Sequence, residues 1–420
     1  MLLYLKNIGK LSEANVELNG ITVIAGENNT GKSTVGKVLY SVFNSYYDIE
    51  HQIDTERTQN IARALDIMYR ESTNRMTSRV DTEEISKLII EHSEQYVENN
   101  DKLKEDIIGL ITQYDDNFVN KNNNEYLDIA IERIFVVLSV SREEILKTII
   151  EKKLNNEFNG QINNIYSESD AIVKLIIKNE EINIKISNHE VNELNNEISL
   201  NTESIYIDDP FIVDEFRRFP SAYHTFLEHR NHLKNKLFYN NSNENIIDEI
   251  IANKKLDKIF DKINSVCSGD IVRSRMGYDY RRVNSEKALN VKNLSTGLKS
   301  FIILKTLLSN GTIEYNGTII LDEPEVHLHP EWQLLFAEII VLLQKEFNLH
   351  ILLNTHSPYF LRAIEAYSAK YKIADRCKYY LSENNEQGAI IMDVTTHTEV
   401  IYKKLAKPLE ALQIMRFEND

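Results

Sequence analysis

Residues Gly26-Glu27-Asn28-Asn29-Thr30-Gly31-Lys32-Ser33 match the pattern G-x-x-x-x-G-K-[ST] at every fixed position, and Thr34 follows. The run sits between a β-rich segment, Ile21 to Ala25, and a stretch that predicts a helix from Lys32 to about Phe43. Strand, Gly-bounded loop and helix in that order make a cradle for phosphates. Two glycines let the backbone close around an anion, and successive N–H groups and the helix N-terminus face it. Lys32 is placed to reach β- and γ-phosphates, and the Ser33 hydroxyl to ligate Mg²⁺. A chain built around this unit is expected to be α/β, with ligands at the carboxyl ends of its strands.

The rest of the composition permits such a fold. The chain has 420 residues, 42% of them apolar and 27% charged, so it can bury a core and is not wholly disordered. Its 13 Gly and 6 Pro exclude collagen-like or linker-like architectures. Two cysteines, Cys267 and Cys377, cannot build a disulfide framework or a multi-Cys zinc site, which points to a cytoplasmic setting. A net charge of −16 argues against a surface that grips nucleic acid everywhere, while leaving room for a local basic groove. The longest apolar stretches, such as Phe336 to Leu343, fall far below the ~20 residues a membrane helix needs, so no membrane contact is expected.

The texture changes along the chain. Residues 47–157 are polar, with apolar positions at helical spacing: Ile85, Leu88 and Ile89, then Ile107, Leu110 and Ile111. Asn-rich breaks cut this region into helices of ordinary length, and no sustained heptads run through it. Residues 158–213 read as strands, with a hairpin predicted from Ala171–Ile177 and Ile182–Ile186. A second helical segment spans 214–266. A strand pair is expected within Gly269 to Val291, β-α-β-α from Leu294 to about Ile364, then one or two strands and a closing helix. The expected organisation is one split domain (1–46, 158–213 and 267–420) with a helical insertion at 47–157 and a second at 214–266.

Three more motifs carry chemistry. Gly317 to Leu321 is a β-rich run ending in Asp322-Glu323-Pro324, the texture of a buried parallel strand with acids at its carboxyl end. Asp322 is placed to hold Mg²⁺ through water, and Glu323 to activate an attacking water as general base. Leu294-Ser295-Thr296-Gly297-Leu298-Lys299-Ser300 precedes an apolar helix, and Ser295 lies 27 residues before Asp322. As bare chemistry this is a Ser N-cap with Gly close by. His356 ends the β-rich run from His350, 34 residues after Asp322, where it can reach a γ-phosphate. His327 and His329, spaced i, i+2 without other Cys or His nearby, read as loop structure or an intersubunit contact and not as a metal site.

The order GENNTGKST, LSTGLKS, IILDEPEVHLHP and LLNTHSP resembles the ATP-binding-cassette ATPases of the SMC/RecF/OLD branch, whose Walker A and Walker B motifs are the first and third of these. Within that branch it is similar to stand-alone antiphage-defence ATPases of the Septu PtuA-like and PARIS ATPase-like kind. The motifs cover about residues 1–45 and 290–365.

The resemblance implies a P-loop NTPase of ABC-ATPase head type that binds ATP and Mg²⁺ and pairs head to tail. Ser295 and Gly297 of the opposite subunit would cap the γ-phosphate, with Lys32, Glu323 and His356 serving catalysis. It also implies an effector encoded nearby, a nuclease or toxin. Two readings stand beside it: a DNA-repair clamp, and a scaffold that holds ATP without turnover.

Two departures matter. The signature is S-T-G-L-K, not S-G-G-Q, and the Q-loop glutamine is not identifiable; Gln161 is the candidate. The 64 residues after His356 are too few for the TOPRIM domain of an OLD nuclease and contain no D-x-D. Asp208-Asp209-Pro210 reads as turn chemistry or part of the head. Arg273, Arg275, Arg281 and Arg282, interleaved with Tyr278 and Tyr280, form a candidate nucleic-acid ribbon whose plainer reading is a charged strand edge.

Overall fold

The structure, a computed structural model, describes the chain apart from residues 74–79, 97–98, 116–117, 119–123, 196–197, 216–226, 239–245, 275–276 and 418–420. Arg275 thus lies outside the described residues. The chain divides into two compact units, residues 1–47 with 150–420, and residues 48–149.

The larger unit carries seven early strands: β1 (Leu2–Ile8), β2 (Leu11–Glu17), β3 (Ile21–Gly26), β4 (Ala171–Ile177), β5 (Glu180–Ser187), β6 (Glu190–Asn195) and β7 (Ser204–Ile207). Then come β8 (Gly269–Ser274), β9 (Gly277–Arg282), β10 (Ala288–Asn290), β11 (Thr318–Asp322), β12 (His350–Thr355), β13 (Cys377–Asn385) and β14 (Gly388–Asp393). Among the described residues, eleven of them form one sheet in the order β6-β5-β4-β1-β2-β14-β13-β3-β12-β11-β7, and β10-β9-β8 form a second, smaller sheet. The expected strand pair at 269–291 is therefore three strands.

The large sheet changes character across its width. From β13 to β7 all neighbours run parallel. These strands are buried on both faces: every residue of β3 is buried, as are five of the six in β12. That is why they read as continuous apolar runs in sequence. From β2 outward the strands are antiparallel hairpins, and β4 and β5 alternate buried with more exposed positions. One face of the parallel half (Ile21, Val23, Ala25, Ile351 and Leu353) joins the core of the larger unit.

Helix α1 (Lys32–Tyr46) follows the phosphate loop, running three residues beyond the expected Phe43. Four helices then lie in the smaller unit: α2 (Ile49–Thr73), α3 (Thr82–Glu91), α4 (Asn100–Tyr114) and α5 (Asn124–Ser139). Asp81 and Asn99 cap α3 and α4 by accepting from Glu84 N–H and Lys102 N–H. Ile85, Ile89, Ile107 and Ile111 are all buried in this unit's own core, as their 3.6-residue spacing predicts. After α6 (Arg142–Phe158) come α7 (Glu228–Phe238), α8 (Ile246–Val266), α9 (Thr296–Ser309), α10 (Pro330–Phe347), α11 (Pro358–Lys370) and α12 (Glu399–Phe417). No helix among the described residues is long and apolar enough to cross a membrane.

Candidate nucleotide-binding site

Strand register gathers the motifs. Thr355 of β12 pairs with Ala25 of β3, and Asn354 pairs with Asp322 of β11. Leu321 pairs with Ile207 of β7, so Asp208 emerges beside Asp322. The parallel direction of all four strands then brings residues 26, 356, 322 and 208 to one edge.

The phosphate loop is shaped by close approach. A Cβ on Gly26 would stand 2.5 Å from the Ser382 carbonyl of β13, and one on Gly31 2.6 Å from Leu11. Gly31 also takes φ 83° as it enters α1, a left-handed conformation that glycine adopts at no steric cost. Asn29 sits at φ 61°. The Thr30 hydroxyl donates to the Glu27 carbonyl at 2.8 Å, closing the loop on itself. The buried Lys32 ammonium donates to the carbonyls of Gly26 (3.1 Å) and Glu27 (2.8 Å) and lies 3.6 Å from Glu323 Oε1. Glu27 and Asn28 face outward, while Ser33 and Thr34 are half-buried at the start of α1.

The two adjacent acids are held differently. Both oxygens of Asp322 are engaged: Tyr206 O–H donates to Oδ2 at 2.8 Å and Asn354 Nδ2 donates to Oδ1 at 3.0 Å. Glu323 takes φ 50°, a strained conformation for a residue with a long side chain, and its N–H donates to the Asn354 carbonyl at 3.0 Å. Its Oε1 lies 3.4 Å from His356 Nδ1. The His356 imidazole holds the Glu323 carboxyl below its usual range, against the opposing effect of burial, and Lys32 adds to this. Glu323 in turn raises His356. Behind them, buried Glu325 accepts from the Thr355 hydroxyl and from His356 N–H, which fixes the backbone under the histidine.

A cavity of about 270 Å³ opens here, lined by Ser33, Asp208, Asp322, Glu323, Ser300 and His327 among others. Its donor set is oxygen-only at Ser33, Asp208 and Asp322, which suits Mg²⁺. The buried Asp208 Oδ1 has no hydrogen-bond partner among the described residues. Asp209, by contrast, does turn work: it accepts from Phe211 N–H at 2.8 Å and pairs with Arg230 at 3.0 Å.

Other expected residues lie elsewhere. Ser295 is exposed at the start of α9 and its hydroxyl makes no cap hydrogen bond. Gly297 is buried: a Cβ there would stand 2.9 Å from the His327 carbonyl and 3.1 Å from Trp332, so within its own subunit this glycine permits helix packing. Gln161 is exposed in the turn after α6 and does not line the cavity. Among the described residues no cluster of three metal-ligating side chains is present, and His329 serves as the N-cap position of α10. Arg281 and Arg282 are consecutive on β9, so the pleat sends them to opposite faces, and Arg281 pairs in register with Asp270.

Tyr206, Asn354 and Glu325 belong to this site although no sequence motif marks them. Asn354 carries a signal, because an amide directly after the apolar run Ile351–Leu353 on a buried strand needs a buried partner.

Residues 1–361 match the family model described as AAA ATPase domain. The Retron Vc95 probable ATPase of Vibrio cholerae serotype O1 biovar El Tor is 23% identical over 418 residues, covering 89% of this chain and 72% of that protein. The Retron Ec83 probable ATPase of Escherichia coli is 33% identical over 90 residues, covering 19% and 16%. Among solved structures, an Smc head bound to the C-winged helix domain of ScpA covers 95% of this chain and 98% of its own, with a TM-score of 0.44 and 10% identity.

Proposed function

The chain belongs to the AAA ATPase domain family and is an ATPase related to retron ATPases, and from that premise we propose a mechanism and a role. ATP lies with its phosphates in the Gly26–Ser33 loop, and Lys32 exchanges its loop carbonyls for β- and γ-oxygens. The cation site is formed by Ser33 and Asp322. Bound Mg²⁺ would neutralise charge on the phosphates. Glu323 orients the attacking water and accepts its proton, and His356 holds the Glu323 carboxylate and faces the γ-phosphate. The observation that carries this reading is the position of Glu323 Oε1, 3.6 Å from Lys32 Nζ and 3.4 Å from His356 Nδ1. That acid is poised between the phosphate loop and the switch histidine, and an ATP-holding scaffold has no need of it.

The finer role follows from the motif order. Two heads close over two ATP molecules, with the exposed Ser295 of one facing the phosphate loop of the other. Hydrolysis removes the γ-phosphate bridge and opens the pair. That cycle gates a separate effector, a nuclease or toxin, in cytoplasmic antiphage defence, a reading the retron relatives support. The DNA-clamp reading draws less support, because the pleat splits the arginines between two faces.

Glu323→Gln tests the core of the proposal. The variant is expected to bind ATP, to lose about 10²-fold or more in turnover, and to accumulate as an ATP-bound dimer in gel filtration. Normal hydrolysis would remove the general-base assignment.

A further inference from the structure

The nucleotide site has a buried back wall that no motif announces. His229, at the N-terminal end of α7, is 1% exposed, and segments far apart in sequence converge on it. Its Nδ1 lies 2.6 Å from Oε2 of Glu157, near the end of α6. Its backbone N–H, one of the helix-start donors with no partner inside the helix, donates to the other oxygen, Glu157 Oε1, at 3.0 Å. Its Nε2 stands 3.2 Å from Oδ2 of Asp208 at the end of β7. The ring stacks on Tyr206, with centroids 4.4 Å apart and planes inclined by 24°. Tyr40 of α1 meets the same imidazole edge-on at 6.0 Å.

A core filler would need only size and apolar surface. This imidazole instead has a carboxylate at each nitrogen, and an imidazole buried so deeply is costly unless it is paired in this way. The backbone N–H of His229 anchors the Glu157 carboxylate, the Nδ1 contact with its other oxygen orients the ring, and the stack passes that orientation to the fully buried Tyr206. A tyrosine hydroxyl oxygen lies in its ring plane, so the position from which it donates to Asp322 is set from behind.

We infer that Glu157, His229 and Tyr206 are positioning residues that fix the carboxylate orientation of Asp322 and so set the divalent-cation affinity of the site, separately from the grip of the phosphate loop on nucleotide. The inference rests on the reading of Asp322 as the cation-binding carboxylate.

Full-length Tyr206→Phe and His229→Gln can be compared with the parent by three measurements: melting without nucleotide, binding of a fluorescent ATP analogue in EDTA, and Mn²⁺ titration by EPR with ATP present. Tyr206→Phe keeps the ring and loses only the hydroxyl. It is expected to melt within a few degrees of the parent and to bind metal-free nucleotide within about 2-fold, while Mn²⁺ affinity falls roughly 10-fold, the scale of an outer-shell hydrogen bond. His229→Gln should move Mn²⁺ affinity in the same direction. If His229→Gln does not fold, Tyr206→Phe alone decides. Unchanged Mn²⁺ affinity in Tyr206→Phe, or an equal loss of metal-free and metal-dependent binding, overturns the relay. Asp322→Asn separates this from the parent reading. If it abolishes Mn²⁺ affinity while Tyr206→Phe leaves that affinity unchanged, only the relay falls. If Asp322→Asn leaves Mn²⁺ affinity intact, the cation-site assignment falls with it.

Discussion

The carboxyl edge of β3, β12, β11 and β7 and the small β8–β9–β10 sheet both concentrate charge, and they treat it in opposite ways. At the edge, Lys32 is 4% exposed and has two carbonyls and a carboxylate around it; Asp322 has a donor on each oxygen. On the small sheet Arg273, Arg281 and Arg282 are exposed. A charge taken out of water persists only with partners that fix its geometry, and a fixed charge can be aimed at a reacting atom. A charge left in water acts through a screened field that falls off within about 10 Å at moderate salt. The first kind supports chemistry and the second at most attraction.

That contrast can be broken by substitution. Lys32→Ala should have the largest effect, reducing ATP binding by more than about 100-fold in a titration with labelled nucleotide, because Lys32 is the ammonium that the loop carbonyls hold over the phosphate cradle. Retained tight binding would erase the distinction between the two regions. His356→Ala should slow turnover about 10-fold while ATP affinity changes less than about 3-fold; equal turnover would show that its pairing with Glu323 is structural.

A pH series sharpens the point further. His229 is raised from 6.5 to about 9, so the stability it contributes is fully present below about pH 6.5 and is lost as pH rises through about 9. Asp208 is lowered, with burial opposed by His229, and so stays charged throughout that range. The melting temperature should therefore fall by a few degrees between pH 7 and pH 10, and His229→Gln should flatten that part of the profile. A profile unaffected by the substitution would mean that the buried pairing carries no net stability. The smallest effect is expected from the triple variant Arg273→Ala, Arg281→Ala, Arg282→Ala, whose ATPase rate should stay within about 2-fold of the parent. If it loses as much activity as His356→Ala, the small sheet belongs to the catalytic apparatus.

The phosphate loop was legible because its eight residues are consecutive and each type answers a local demand. The same holds for Asp322 and Glu323, which sit at the end of a continuously apolar strand. The parallel strands were legible for their apolar runs, and the smaller unit for its 3.6-residue period. What escaped was built by convergence. Tyr206, His229 and Glu157 each supply one side chain from a different segment, and none has a distinguishing neighbour in sequence. Glu325, two residues beyond Glu323, carries no local signal either, yet it is 1% exposed and pushed up by burial. The signature divided in a way that spacing could not foretell: Ser295 faces outward while Gly297 packs on Trp332.

The pairing of β3 has a consequence for how the protein is made. Its two neighbours in the sheet are β12 and β13, at residues 350–355 and 377–385. The strand that carries the phosphate loop leaves the ribosome more than 300 residues ahead of both flanking partners. At roughly 5–20 residues per second that interval is tens of seconds. During it the newborn polypeptide holds Gly26–Ser33 without the strands that give the loop its shape, so an incomplete copy has no means of engaging nucleotide. Competence arrives only once β13 has been read from the message and can pair beside the loop.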